Sequence, residues 1–227
     1  MDKKADRFDN IGRIIRDFVK VYLDNPFNFL NEADVQSLLF PIIRDSCQDE
    51  LVPMIGEHEH SDSYGPVGKI EINPVHREYP REHGKTGQFD IAIINKDKIQ
   101  PGKNKKNDNF WYQPVDLAIE IKLTGPHLSK LFDDVKKIND YNKDNKLAVP
   151  GVVLQFIHPY MWGEEIKEIR CYQGKDGKYD IKAISADEIT VDKGKVVGYF
   201  IGVTKEDKNN NIGSKRSYFK VTSYSAS

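Results

Sequence analysis

Three ionisable residues stand inside apolar runs where charge is costly. Asp90 lies in "QFDIAII", and Glu120 and Lys122 lie in "AIEIKL". Both runs have the aliphatic composition of buried strands, and residues i and i+2 of a strand project to one face. Glu120 and Lys122 therefore share a face. An ionised carboxylate buried without a partner costs several kcal/mol, so two such acids call for a counter-charge. Hard divalent cations such as Mg²⁺ prefer carboxylate oxygens, backbone carbonyls and water. Asp90, Glu120 and the backbone carbonyl of Ile121 make one candidate coordination set, for Mg²⁺ or for Mn²⁺. Lys122, on the same face, would orient a water and stabilise charge developing on a phosphate. Together the three suit hydrolysis of a phosphodiester. The ordinary alternative is an exposed sheet face carrying a Glu-Lys pair and an unrelated aspartate.

The elements that must position these residues follow from periodicity. Apolar residues from Phe8 to Tyr22 recur at helical spacing and predict an amphipathic helix over 7–22. "DNPFNF" interrupts it, and Asn31 is a suitable N-cap for a second helix, "EADVQSLLFPIIRDSC", which Pro41 would kink or divide. The polar stretch over 50–64 reads as a loop. "GKIEINPVHREYP" reads as one strand or a strand broken at Pro74, followed by a turn-rich "REHGKTG" and the Asp90 strand. A long polar loop, "KDKIQPGKNKKNDN", separates that strand from the Glu120 strand. "GPHLSKLFDDVKKINDYNKDN" has helical spacing, and "PGVVLQFIHP" is a continuous apolar run typical of a buried strand. The resulting order is helix, three strands, helix, strand. After Tyr160, "MWGEEIKEIRCY" suggests a short helix, and "KVVGYFIGVTK" and "SYFKVTSY" suggest strands.

An acid in one strand, then Glu120-Ile121-Lys122 in the next, resembles the PD-(D/E)XK nuclease superfamily, over roughly 31–159. The order of elements agrees with that superfamily's core. The resemblance implies an α/β fold: a restriction-endonuclease-like αβββαβ core with a mixed central sheet flanked by helices, plus the N-terminal helix and a C-terminal β-rich extension over 160–227. The whole of 1–227 then forms a single domain. It also implies a Mg²⁺-dependent deoxyribonuclease in which Asp90 and Glu120 bind metal, Lys122 assists catalysis, and Glu32, at the start of the second helix, supports the metal shell. Lys136 or Lys137 would lend a basic group from the following helix. The position before the first acid is Phe89 rather than proline, and the loop after Ile94 lengthens the gap between the acids. The implied partner is DNA, and a homodimer is compatible with this reading. The alternative function is a catalytically inactive nuclease-like fold that binds nucleic acid or acts as a scaffold.

Composition limits these readings. Thirty-four Lys and Arg against thirty-five Asp and Glu give a net charge of −1, so nucleic-acid contacts must come from local patches. Such patches include Arg77, Arg81, Lys85 and the "GKNKKN" segment over 102–107, with Phe110, Trp111 and Tyr112 as stacking candidates that more ordinarily pack in a core. Glu78 reads as a solvent-facing strand residue, and His58 and His60 as part of a polar turn. Cys47 and Cys171 have no metal or redox spacing and point to a reducing compartment. With 38% hydrophobic residues, a mean hydropathy of −0.62 and no long apolar run, a cytoplasmic, non-membrane protein is expected.

Overall fold

The computed structural model of the chain describes residues 3–54, 70–81, 87–98, 113–124, 128–157, 179–208 and 211–223. Helix α1 (Lys3–Asp24) buries Phe8, Ile11, Ile15, Phe18, Val19 and Tyr22, the stripe that its sequence periodicity marks out. A short 3-10 turn at Pro26–Asn28 redirects the chain into α2 (Glu32–Ser46). Asn31 caps that helix: its side chain accepts from the Asp34 amide while the Asp34 carboxylate accepts from the Asn31 amide. Both exchanged bonds satisfy amides that a helix start leaves unpaired. Pro41 lies inside α2 without dividing it.

The stretch expected as a loop after Glu50 contains a short strand, β1 (Val52–Met54), which pairs antiparallel with β2 (Ile70–Ile72). The break at Pro74 is real, since β2 ends before it and β3 (Val75–Pro80) begins after it. Strands β3, β4 (Gln88–Ile94) and β5 (Val115–Thr124) form an antiparallel meander. Helix α3 (Leu128–Asn145) then carries the chain to β6 (Gly151–Ile157), which pairs parallel to β5. A parallel neighbour needs such a crossover.

Strands β7 (Tyr179–Ile184), β8 (Val196–Lys208) and β9 (Asn211–Ser223) were not separable from an appended extension by sequence pattern. They instead continue the same sheet, whose order is β3-β4-β5-β6-β8-β9-β7. Among the described residues the mixed sheet therefore has seven strands, larger than the four-stranded core expected. Strand β8 is parallel to β6, and β9 is antiparallel to both β8 and β7.

Helices cover the two faces. Leu117, Ile119, Ile121 and Leu123 of β5 join Val152, Leu154 and Phe156 of β6 in one core with α1 and α2. Ala118 and Val153, on the opposite face, pack with Leu131, Val135 and Ile138 of α3. Alternation along β5 thus assigns Glu120 and Lys122 to the α3 face. Two glycines let α3 sit close to that face. A Cβ at Gly198 would lie 2.6 Å from Leu131, and one at Gly151 would lie 2.8 Å from Ile138. Among the described residues no helix is long and apolar enough to cross a membrane.

Candidate active site

The α3 face of β5 carries the charge that the sequence singles out. Asp90 lies one residue beyond the paired Ile91 and Ile119, on the strand beside that of Glu120. There the Asp90 carboxylate accepts a 2.6 Å hydrogen bond from the Ile121 amide, so its placement is fixed by the neighbouring backbone. Asp90 is 8% exposed and Glu120 is fully buried. Lys122 donates to Glu32 at 3.4 Å and to the Ile121 carbonyl at 3.2 Å, and lies 3.7 Å from Asp134 of α3. Lys137 of the same helix stands 2.7 Å from Glu120 Oε1 and donates to the Gln88 carbonyl. The structure thus brings Asp90, Glu120, Lys122 and Glu32 into one neighbourhood. Glu32 arrives there through Lys122.

Asp134 and Gln155 also belong to this site, although sequence motifs did not mark them. Asp134 follows Leu131 by three residues and precedes Val135 and Ile138, so it stands on the buried stripe of α3. An acid at a core-facing helical position is the signal that periodicity carried. Gln155 interrupts the apolar run of β6 and is 1% exposed. It pairs in register with Lys122, and among the described residues its Oε1 has no hydrogen-bond partner. Lys137, rather than Lys136, reaches the site, because Lys136 is exposed and pairs with Asp140 at 2.9 Å.

Electrostatics follow from setting three buried carboxylates, Asp90, Glu120 and Asp134, and the half-buried Glu32 against two ammonium groups. Burial pushes Glu120 up to about 8, with the Asp90 charge adding to it and Lys137 opposing it. Burial likewise raises Asp134 despite Lys122 and Lys137. For Lys122, burial disfavours the ammonium, but Asp134, Asp90, Glu32 and Glu120 outweigh it and raise its pKa. Lys122 is therefore held in its charged form.

A buried carboxylate whose oxygen lacks a partner is where a cation fits. Among the described residues Glu120 Oε2 is such an oxygen, whereas Asp134 Oδ2 accepts no hydrogen bond but faces the Lys122 ammonium at 3.7 Å. Asp90, Glu120 and the Ile121 carbonyl offer oxygen donors of the type that Mg²⁺ prefers. Among the described residues no group of three or more His, Cys, Asp or Glu side chains is assembled as a ready metal cage, so any ion held here would draw on the carbonyl and on water.

The remaining candidates lie apart. Arg77 is exposed on β3, and Arg81 donates to the Lys137 carbonyl at 3.5 Å. Glu78 is exposed, as expected, but adopts φ 50° and interrupts the β3–β4 pairing. Cys47 is a buried free thiol. His58, His60, Lys85, Phe110, Trp111, Tyr112, Cys171 and the 102–107 segment lie outside the described residues, as does the helix expected at 161–172. Comparison with protein-family models, with curated proteins and with solved structures gives no match.

Proposed function

We propose that this chain is a metal-dependent nuclease that hydrolyses DNA phosphodiester bonds by a PD-(D/E)XK mechanism. One observation carries the reading: Asp90 and Glu120, both buried, stand on adjacent strands with charged Lys122 on the same face. The order helix, three antiparallel strands, helix, parallel strand supports a restriction-endonuclease-like core within the larger sheet. Asp90, Glu120 and the Ile121 carbonyl would hold Mg²⁺ or Mn²⁺. When bound, such an ion acidifies a coordinated water and offsets charge on the phosphate.

The chain's own groups divide the rest of the work. The Ile121 amide aims the Asp90 carboxylate, so little reorganisation is needed to present it. Glu32 and Asp134 flank the Lys122 ammonium and keep it protonated, ready to stabilise negative charge on the scissile phosphate. Lys137 partly neutralises Glu120 when no other cation is present. Gln155 adds an unsatisfied carbonyl beside Lys122 that suits a bound water.

The test is cleavage of linear, circular, single-stranded and branched DNA by the purified chain with Mg²⁺ or Mn²⁺. Asp90→Ala should abolish both metal binding and cleavage. Lys122→Ala should lower the rate by roughly 10²–10³-fold while metal still binds. No cleavage of any substrate, with metal binding indifferent to Asp90→Ala, would sink the reading.

The Lys137 contact to Glu120 favours a second reading, a nuclease-like fold that binds nucleic acid or acts as a scaffold without cutting. A lysine is a permanent counter-charge for a site that no longer takes metal. Calorimetric titration with Mn²⁺ separates the two, since heat that disappears in Glu120→Gln speaks for the enzyme.

A further inference from the structure

We propose that the outer half of the β8–β9 hairpin is an arm that contacts duplex DNA beside the acid-lysine site; this rests on the nuclease reading of that site. Strand β6 pairs with β8 only as far as Ile201, and β7 pairs with β9 only from Tyr218 onward. From Gly202↔Ser217 to Lys208↔Asn211 the two strands pair with each other alone among the described residues. Seven such pairs make a two-stranded ribbon about 23 Å long at strand rise.

The ribbon leaves the sheet at the end that carries the site. Strands β5, β6 and β8 run parallel, and their register places Lys122 level with Gln155 and Phe200. The ribbon therefore begins two residues beyond the level of Lys122, and two strands to the side, about 10 Å away. A DNA duplex with its phosphate at Lys122 would pass this arm.

Its composition is that of a surface reader rather than of a core element. Over 202–217, "GVTKEDKNNNIGSKRS", only Val203 and Ile212 are aliphatic. Lys205, Lys208, Lys215 and Arg216 outnumber Glu206 and Asp207, giving a local charge of +2 in a chain whose net charge is −1. An isolated two-stranded ribbon is marginal in water, and a polyanion is the partner that this charge complements. Among duplexes, the major groove of B-DNA admits a two-stranded ribbon, whereas that of A-form RNA is too narrow.

Fluorescence anisotropy of the full chain with a labelled 20-base-pair DNA duplex, in EDTA to prevent cleavage, tests this. The variant K205A/K208A/K215A/R216A should bind at least about tenfold more weakly. Its salt dependence should also be shallower, by about 0.9 in the log-log slope for each phosphate contact removed. A second variant, with residues 204–215 replaced by Asn-Gly, should behave alike and guards against misfolding of the first. Mn²⁺ binding by calorimetry should be unchanged in both.

Undiminished DNA binding in both variants, absence of duplex binding by the unaltered chain, or equal competition by duplex RNA would each overturn the proposal. The two inferences fail separately. Arm-dependent DNA binding in a protein that never cuts would uphold the arm and remove the nuclease; cutting unaffected by loss of the arm would do the reverse.

Discussion

Glu120 makes this site sensitive to pH because it is fully buried beside Asp90, and its folded-state pKa stands at about 8 against an ordinary 4.5. Between those values the folded protein holds a proton that the unfolded chain has released, so stability falls as pH rises from about 4.5 to about 8. Asp134, shifted in the same direction, adds to the slope. Glu120→Gln should leave stability nearly unchanged at pH 4 and raise it by roughly 1–3 kcal/mol at pH 9, measured by urea unfolding. The same variant should lose metal binding. A cation entering the unaltered site must displace the proton, so Mn²⁺ binding at pH 6.5 should release about one proton per ion, and fewer at pH 9. Calorimetry in buffers of different ionisation enthalpy reads that number. Stability of Glu120→Gln that matches the unaltered chain at pH 9 would contradict a buried proton at this residue.

At the level of elements, the sheet face and α3 are fitted together by absent side chains. Leu131 occupies the space over Gly198, and Ile138 that over Gly151, so α3 approaches closely enough for Asp134 and Lys137 to reach charges on β5. Gly198→Ala should cost about 1–3 kcal/mol by overpacking. If α3 is displaced, Lys137 no longer opposes the Glu120 proton, and metal-free stability should depend on pH more steeply. Thermal unfolding at pH 5 and pH 8 checks both effects. The elements themselves were largely legible in the sequence, because α1, α2, α3, β4, β5 and β6 have strong local periodicity and Asn31 marks its helix start. Joining β7, β8 and β9 to the sheet was not legible. Strand order depends on pairings between segments far apart, such as β6 with β8, and period-2 patterning specifies a face without naming a neighbour. Asp90, Glu120 and Lys122 stood out as charges in apolar runs. Asp134 and Gln155 did not, since each becomes a site residue only when α3 and β6 are laid against β5.

Across the whole molecule, Arg7 of α1 ties the two ends of the first half together. Its guanidinium donates to Asp116 at the start of β5 and, at 2.8 Å, to Glu50. Arg7 and Asp116 are 7% and 5% exposed, so removing one partner strands a buried charge. Arg7→Ala should cost about 3–5 kcal/mol, a Tm drop of roughly 6–20 °C for a chain of this length. Because the uncompensated charge is the cause, Arg7→Met combined with Asp116→Asn should recover much of that loss. Differential scanning calorimetry of the two variants and the unaltered chain decides it, and a double variant no better than Arg7→Ala would mean that Arg7 acts through packing alone.

The same ion pair spans 109 residues of chain, and that separation has a meaning during synthesis. At about 5–20 residues per second, Arg7 is made some 5–20 s before Asp116. Throughout that interval α1 lacks Asp116, although Glu50 is already made, and lacks the β5 and β6 residues that join Phe8, Ile11 and Ile15 in one core. The first helix is therefore a nascent segment whose greasy stripe is only partly covered. How long it stays so is set by the rate of translation through the first half of the chain.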